Sequence, residues 1–214
     1  MRKSRFCFFL ALLALCATET RGRELPQWKP RLFVTASAGV WSPGGADQDR
    51  YLASLGASFS ALYWFGWDTQ IMLSGTYASL NTERYYWMPA SLAGQSPDIW
   101  DVKGSLWAAS LELRRLFPTD NKNYLYLAIG ADLIHFGPVK GKYEIYGTEQ
   151  PIKDVVSLQR DPSEAVGLHL SPGMFFLFHP RVSMDVTVRL HAMYDGEDSI
   201  LWMEPSFAVG YRVF

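Results

Sequence analysis

The residues best suited to chemistry are His169-Leu170-Ser171, with Asp185 further along the chain. A serine hydroxyl becomes a nucleophile when an imidazole takes its proton and a carboxylate orients that imidazole. These three side-chain types supply the parts, provided the fold brings them together. Other ionisable residues come in pairs two or four positions apart: Glu112 with Arg114, Arg189 with His191, and Asp185 with Arg189. On a strand such spacings put both members on one face, where structural ion pairing is the expected use. Two acidic clusters, Asp47/Asp49 and Asp195/Glu197/Asp198, offer oxygen ligands that could hold divalent cations. Neither has the spacing of a calcium loop, so they read as solvated turns. No HExxH pair, Gly-rich phosphate loop or nucleotide fingerprint occurs, and neither a metal nor a cofactor is expected.

Composition narrows what can position these groups. The chain has 214 residues, 20 Lys+Arg against 21 Asp+Glu, and a formal net charge of −1. Nucleic-acid binding needs a basic excess to displace counterions, so no nucleic-acid partner is expected. Arg2, Lys3 and Arg5 precede an apolar run over 6–16, too short to span a bilayer as a helix and proportioned like the core of a secretory signal. Residues 1–17 are therefore expected to be a signal peptide, and 18–30 a periplasmic flank, with Trp28, Lys29 and Arg31 marking the interface before the first strand. Both cysteines, Cys7 and Cys16, lie inside that signal, so the exported chain carries no disulfide or thiolate.

The remainder alternates with period two, the signature of strands. Between 51 and 65 every odd position is apolar, whereas the even ones are mostly small or hydroxylic, apart from Leu52, Leu62 and Trp64. Between 182 and 194 the even face carries Val182, Met184, Val186, Val188, Leu190, Ala192 and Tyr194, and the odd face Ser183, Asp185, Thr187, Arg189, His191 and Met193. Similar patterns cover 32–41, 68–80, 102–116, 124–135, 165–178 and 201–213. Several are long enough to cross a membrane at a tilt. Connections alternate between short (66–67, 118–123, 179–181) and longer (42–50, 81–101, 136–164), with 195–199 a short one at the long-loop end. The expected fold is all-β: an eight-stranded antiparallel up-and-down transmembrane β-barrel over 31–214, with both termini at the tight-turn end.

A soluble lipocalin-like ligand-binding barrel would also alternate, and Gly39-Val40-Trp41 has the Gly-x-Trp form. Its outer face, however, would be rich in Lys, Glu and Asp. Here the polar faces are mostly Ser, Thr, Gly, Ala and His with sparse charges of both signs, which suits a narrow lumen. That lumen is expected to hold Glu112, Arg114, Asp132, His169, Asp185, Arg189, His191, Glu204 and Arg212 as an ion network. Eight strands enclose little more than side chains, so the network is a polar plug. The aromatics are expected mainly at the two membrane rims. Tyr63, Phe65 and Trp67 would form one belt, and Tyr85, Tyr86, Trp87 and Trp100 either the other belt or a contact patch for an outside partner.

The chain ends Val209-Gly210-Tyr211-Arg212-Val213-Phe214. In this last strand and in its architecture it resembles the small outer-membrane β-barrel proteins of Gram-negative bacteria. That resemblance implies an assembly signal at Gly210, Tyr211 and Phe214 read by the barrel-assembly machinery, although Phe214 falls one step out of phase with Tyr211. It also implies outer-membrane lipid and lipopolysaccharide as surroundings, a monomer, and a structural or interaction role: envelope integrity, adhesion, or lateral passage of a small hydrophobic molecule. Separately, His169-Leu170-Ser171 is similar to the His-x-Ser of outer-membrane lipid A deacylases. Against that stand the Pro172-Gly173-Met174 that follows, the absence of a nearer acid, and a register pointing both residues into the lumen instead of toward lipid. No enzymatic activity is expected.

Overall fold

A computed structural model of the chain describes residues 31–45, 47–65, 68–83, 98–120, 122–145, 152–158 and 163–213. The signal and flank over 1–30, the turn residues Gly66 and Trp67, the aromatics Tyr85, Tyr86 and Trp87, and the terminal Phe214 lie outside these. The strands are β1 (Arg31–Gly45), β2 (Ser54–Trp64), β3 (Thr69–Asn81), β4 (Asp98–Pro118), β5 (Asn123–Phe136), β6 (Val139–Ile145), β7 (Ile152–Leu158), β8 (Glu164–His179), β9 (Val182–Tyr194) and β10 (Ser199–Arg212). Eight of them form a closed antiparallel barrel. The order runs β3-β2-β1-β10-β9-β8-β5-β4, and a β3–β4 ladder from Thr69↔Arg115 to Asn81↔Lys103 completes the circle. The first and last strands meet at a seam from Phe33↔Arg212 to Gly45↔Ile200. Closure matters because unpaired backbone N–H and C=O groups cannot be left in hydrocarbon.

Parity sets which face each residue takes. On β2, Ser54, Ser58, Ser60, Leu62 and Trp64 point inward and are buried, while Leu55, Ala57, Phe59 and Ala61 are exposed. On β9 the odd positions from Ser183 to Met193 are buried inside. Leu73, Leu111, Leu133, Leu168, Leu190 and Phe207 lie on the outside, spread around the wall. Such a continuous apolar exterior is the reverse of a lipocalin-like surface, because a water-soluble monomer does not expose so wide an apolar area.

The connection over 136–164, expected as a loop, instead contains the β6–β7 hairpin. β4 outruns β5: from Leu106 to Pro118 it pairs with β5, and before that Asp98, Ile99, Trp100 and Lys103 pair with Glu144, Tyr143, Lys142 and Lys140 of β6. A bulge between Trp100 and Lys103 interrupts the β6 ladder, and there Asp101 adopts a φ of 57°. β4 consequently begins earlier than the expected position 102, and β1 runs on past 41 to Gly45.

Carboxylates close two of the turns. Asp120 accepts from the backbone N–H groups of Lys122 (2.7 Å) and Asn123 (2.8 Å), and these donors, Lys122 first, hold its carboxyl below the usual carboxylate range. Asp195 accepts from Glu197 and Asp198 in the same way, beside Gly196 with its φ of 104°. Asp47, expected in a solvated turn, is instead buried and takes the indole N–H of Trp202 at 3.0 Å.

The lumen is layered. At the loop end Trp41, Tyr51, Leu80, Leu106, Phe136, Ile200 and Trp202 form one apolar cluster. Phe33, Leu62, Trp64, Met72, Leu116, Tyr126 and Phe175 form a second at the end where the termini lie. The rims do not take all the aromatics, since each cluster packs large rings inside the barrel. They share inward parity with the polar residues but sit toward strand ends, where the barrel interior needs a seal against water. Between the two clusters lies the charged layer.

Candidate functional site: a buried ion network between two apolar layers

Five neighbouring strands, β4, β5, β8, β9 and β10, project charged side chains into the middle of the lumen. Glu112 is fully buried and is the hub. Its carboxylate accepts from Arg114 Nε, from His169 Nε2 at 3.0 Å, from Ser171 Oγ at 3.2 Å and from Arg189 Nε at 3.3 Å. Arg114 also donates to Asp185, and its guanidinium lies 4.4 Å from the centre of the Tyr126 ring. The Tyr126 hydroxyl in turn donates to Asp185 at 2.7 Å. Asp132 bridges the two imidazoles, Nδ1 of His169 at 2.9 Å and Nδ1 of His191 at 2.8 Å. Glu204 closes the far side, taking Arg189 Nη1 at 3.1 Å and His191 Nε2 at 3.3 Å. His191 also stacks on the Trp41 indole, 4.9 Å between ring centres, which ties the charged layer to the apolar one above.

Proton inventory explains the balance. Each imidazole faces a carboxylate oxygen from both ring nitrogens, and a ring with one proton can donate only once. With both nitrogens protonated all four contacts are hydrogen bonds, and the two guanidinium and two imidazolium charges then match the carboxylates Glu112, Asp132, Asp185 and Glu204. An unpaired charge so deep would be costly, so completeness is what makes the layer tolerable. Backbone room is part of the design. A Cβ on Gly130 would collide with the His169 ring and come within 2.6 Å of the Leu111 carbonyl, and one on Gly173 would strike Tyr126. On the opposite wall, β1–β3 offer small groups, with Ser58 and Thr76 sharing a 2.7 Å hydrogen bond. Gln70 and Ser74, also buried there, have no partner among the described residues.

Eight of the nine residues expected in the network meet in this layer. Arg212 is the exception: half-buried at the terminal end beside Phe33, it makes no hydrogen bond or ion pair with the other eight among the described residues. Tyr126 and Ser171 join as members that charge alone does not mark in the sequence. His169, Ser171 and Asp185 do not form a relay. The Ser171 hydroxyl bonds to Glu112 and not to His169, and Asp185 serves Arg114 and Tyr126. Asp132, His169 and His191 bring three ligand-type atoms within 4.8 Å of one another. Those atoms already satisfy each other, with Glu112 and Glu204 on the outer nitrogens, so the arrangement serves a closed hydrogen-bond set.

On the exterior, Tyr77 and Trp107 face outward in contact, 4.7 Å between ring centres, toward the loop end. Tyr63 and Phe65 stack at the other end. Trp100 is half-buried on the β4 extension beside Lys142, and its expected companions Tyr85, Tyr86 and Trp87 are outside the described residues. Gly210 lets β9 and β1 close around β10, since a Cβ there would meet Ser183 and, at 2.9 Å, Thr35; Tyr211 points outward.

No protein family's sequence profile matches the chain, and no curated protein matches it in sequence. Solved structures do. Neisserial surface protein A matches with a TM-score of 0.52 at 14% identity, over 84% of this chain and 96% of that one. A major outer membrane protein from Thermus thermophilus matches with a TM-score of 0.52 at 13% identity, over 85% of this chain and 99% of that one. At such identities the likeness speaks to architecture. The chain has the fold of the small eight-stranded transmembrane β-barrels of outer membranes.

Proposed function

We propose that the protein is an integral outer-membrane barrel with a plugged lumen and a structural or adhesive role, exported by residues 1–17, with periplasmic termini and outward-facing loops. The observation that carries this is the inversion of polarity: apolar side chains cover the outside, and a complete ion network sealed by two apolar layers fills the inside. A molecule travelling along the lumen would have to break that network, which favours envelope integrity or adhesion over transport along the lumen. The buried Ser171, committed to Glu112, supports the same reading over a lipid A hydrolase, whose serine must meet an acyl chain. The wall closes within one chain, which supports a monomer. Gly210, Tyr211 and Phe214 are the residues assigned to recognition by the barrel-assembly machinery.

The test is twofold. Unheated protein in detergent should run faster on gels than heated protein, and planar lipid bilayers containing it should show no steady conductance. A protein that is soluble and monomeric without detergent would overturn the membrane assignment, and a stable open channel would overturn the plug.

A further inference from the structure

The outer wall carries a second ordered feature, built where β4 leaves β5 for β6. Tyr77, Trp107 and His135 are register partners that face outward as one row across β3, β4 and β5. One step above them comes Ser79 opposite Ser105. The next outward row is Asn81, Lys103 and Lys140, again direct register partners across β3, β4 and β6, with Lys142 on the same face of β6 beyond it. Like charges placed directly opposite on adjacent strands repel and destabilise the pair, so Lys103 facing Lys140 has an energetic cost that the fold alone does not explain. Asp101, held at the bulge, reaches Lys142 at 3.1 Å and Lys103 at 3.4 Å and neutralises one charge of the three. Lys140 has no ion pair among the described residues, and Glu83, two residues past the end of β3, forms none with these lysines. Glu144, next along that face of β6, is buried and otherwise engaged. The lysine row therefore keeps a net positive charge directed away from the barrel.

Its height sets the partner. Trp and Tyr gather where hydrocarbon meets headgroups. Lys103 stands four residues above Trp107, which is ~13 Å along a strand at about 3.3 Å per residue, and ~10 Å along the membrane normal after a tilt of about 40°. That places flexible ammonium groups just above an aromatic row, within snorkelling reach of the headgroup layer. We propose that Lys103, Lys140 and Lys142 form a docking site on the barrel's outer wall for the phosphate-bearing headgroup of an outer-leaflet lipid. The row faces sideways from the wall, continuous with the lipid-facing aromatics below it, and this favours a lipid headgroup over a soluble polyanion arriving at the loop tips. The site rests on the orientation given under Proposed function, with the loop end outside.

The experiment is native mass spectrometry of the full-length protein in neutral detergent, titrated with bisphosphorylated lipid A and with the same lipid stripped of phosphate. The parent should bind the phosphorylated form selectively, and salt should weaken the binding. K103Q/K140Q/K142Q should bind about a hundredfold less tightly, while a Lys122→Gln control at the opposite end keeps parental affinity. Unchanged heat-modifiable migration of each variant shows that the barrel still forms. Equal binding of both lipids, or a triple variant within about twofold of the parent, overturns the site, as does equal competition by inorganic phosphate or by a soluble sulfated polysaccharide. Orientation is read separately by labelling Lys142→Cys on intact cells with a membrane-impermeant maleimide. Labelling supports the outer-leaflet placement. Protection until the outer membrane is broken overturns that placement, whatever the lipid titration gives.

Discussion

On β4, Leu111 and Leu113 lie on the outer wall and Glu112 and Arg114 in the lumen, one residue apart along the same backbone. The wall asks only that a side chain be apolar at its depth, because lipid tails conform to whatever they meet. The lumen asks for particular atoms in particular places: the Glu112 carboxylate is shared among Arg114, His169, Ser171 and Arg189. Outer positions are therefore replaceable in kind, and inner ones are not.

The largest effect should come from removing the hub. Glu112→Ala leaves Arg114 and Arg189 without their shared carboxylate in a buried layer, and should lower stability by about 3–5 kcal/mol, read from urea unfolding of the barrel refolded into vesicles. Loss of less than about 1 kcal/mol would mean that the layer is wetter than its burial implies. Next is the wall: Leu111→Arg puts a charge against lipid and should cost about 2–4 kcal/mol near mid-depth by the same assay, falling toward zero if Leu111 sits near an interface. Gly130→Ala tests the fit of the interior, since its methyl must displace the His169 ring; about 1–3 kcal/mol is expected, with slower refolding as a second sign. The smallest effect belongs to Gly75, an outward glycine on β3 whose Cβ would meet nothing within 4 Å. Gly75→Ala should leave the unfolding free energy unchanged to within about 0.5 kcal/mol, and a clear loss there would erase the contrast with Gly130.

Period-two alternation is a local signal, and it recovers what is local. The two faces of β2 and β9, and the inward parity of Glu112, Arg114, Asp132, His169, Asp185, Arg189, His191 and Glu204, follow from residue type alone. Depth does not, because a residue's height depends on how neighbouring strands are staggered. Trp41, Trp64 and Trp202 share parity with serines and charged groups, so only the assembled register sends them to the ends of the lumen. Arg212 has the right parity and the wrong height for the same reason. The β6–β7 hairpin is illegible for a different cause. Val139-Lys140-Gly141-Lys142 alternates, but the element is short, glycine-containing and charged, and what fixes it is the projecting end of β4. Who donates to whom within the charged layer is beyond the sequence as well, since Glu112 and His169 meet across strands.

The seam between β1 and β10 bears on how the chain can fold. Phe33 pairs with Arg212 and Gly45 with Ile200, so well over half of the chain separates the partners. Contacts of such sequence separation are closed late and slowly, because the loop entropy must be overcome before the ladder forms. Until then two strand edges stand open, and neither water nor bare hydrocarbon offers them a lasting partner. The wall therefore cannot close before the last strand is in place. Any truncation that removes the pairing residues of β10 should leave an open-edged sheet prone to aggregation instead of a smaller barrel.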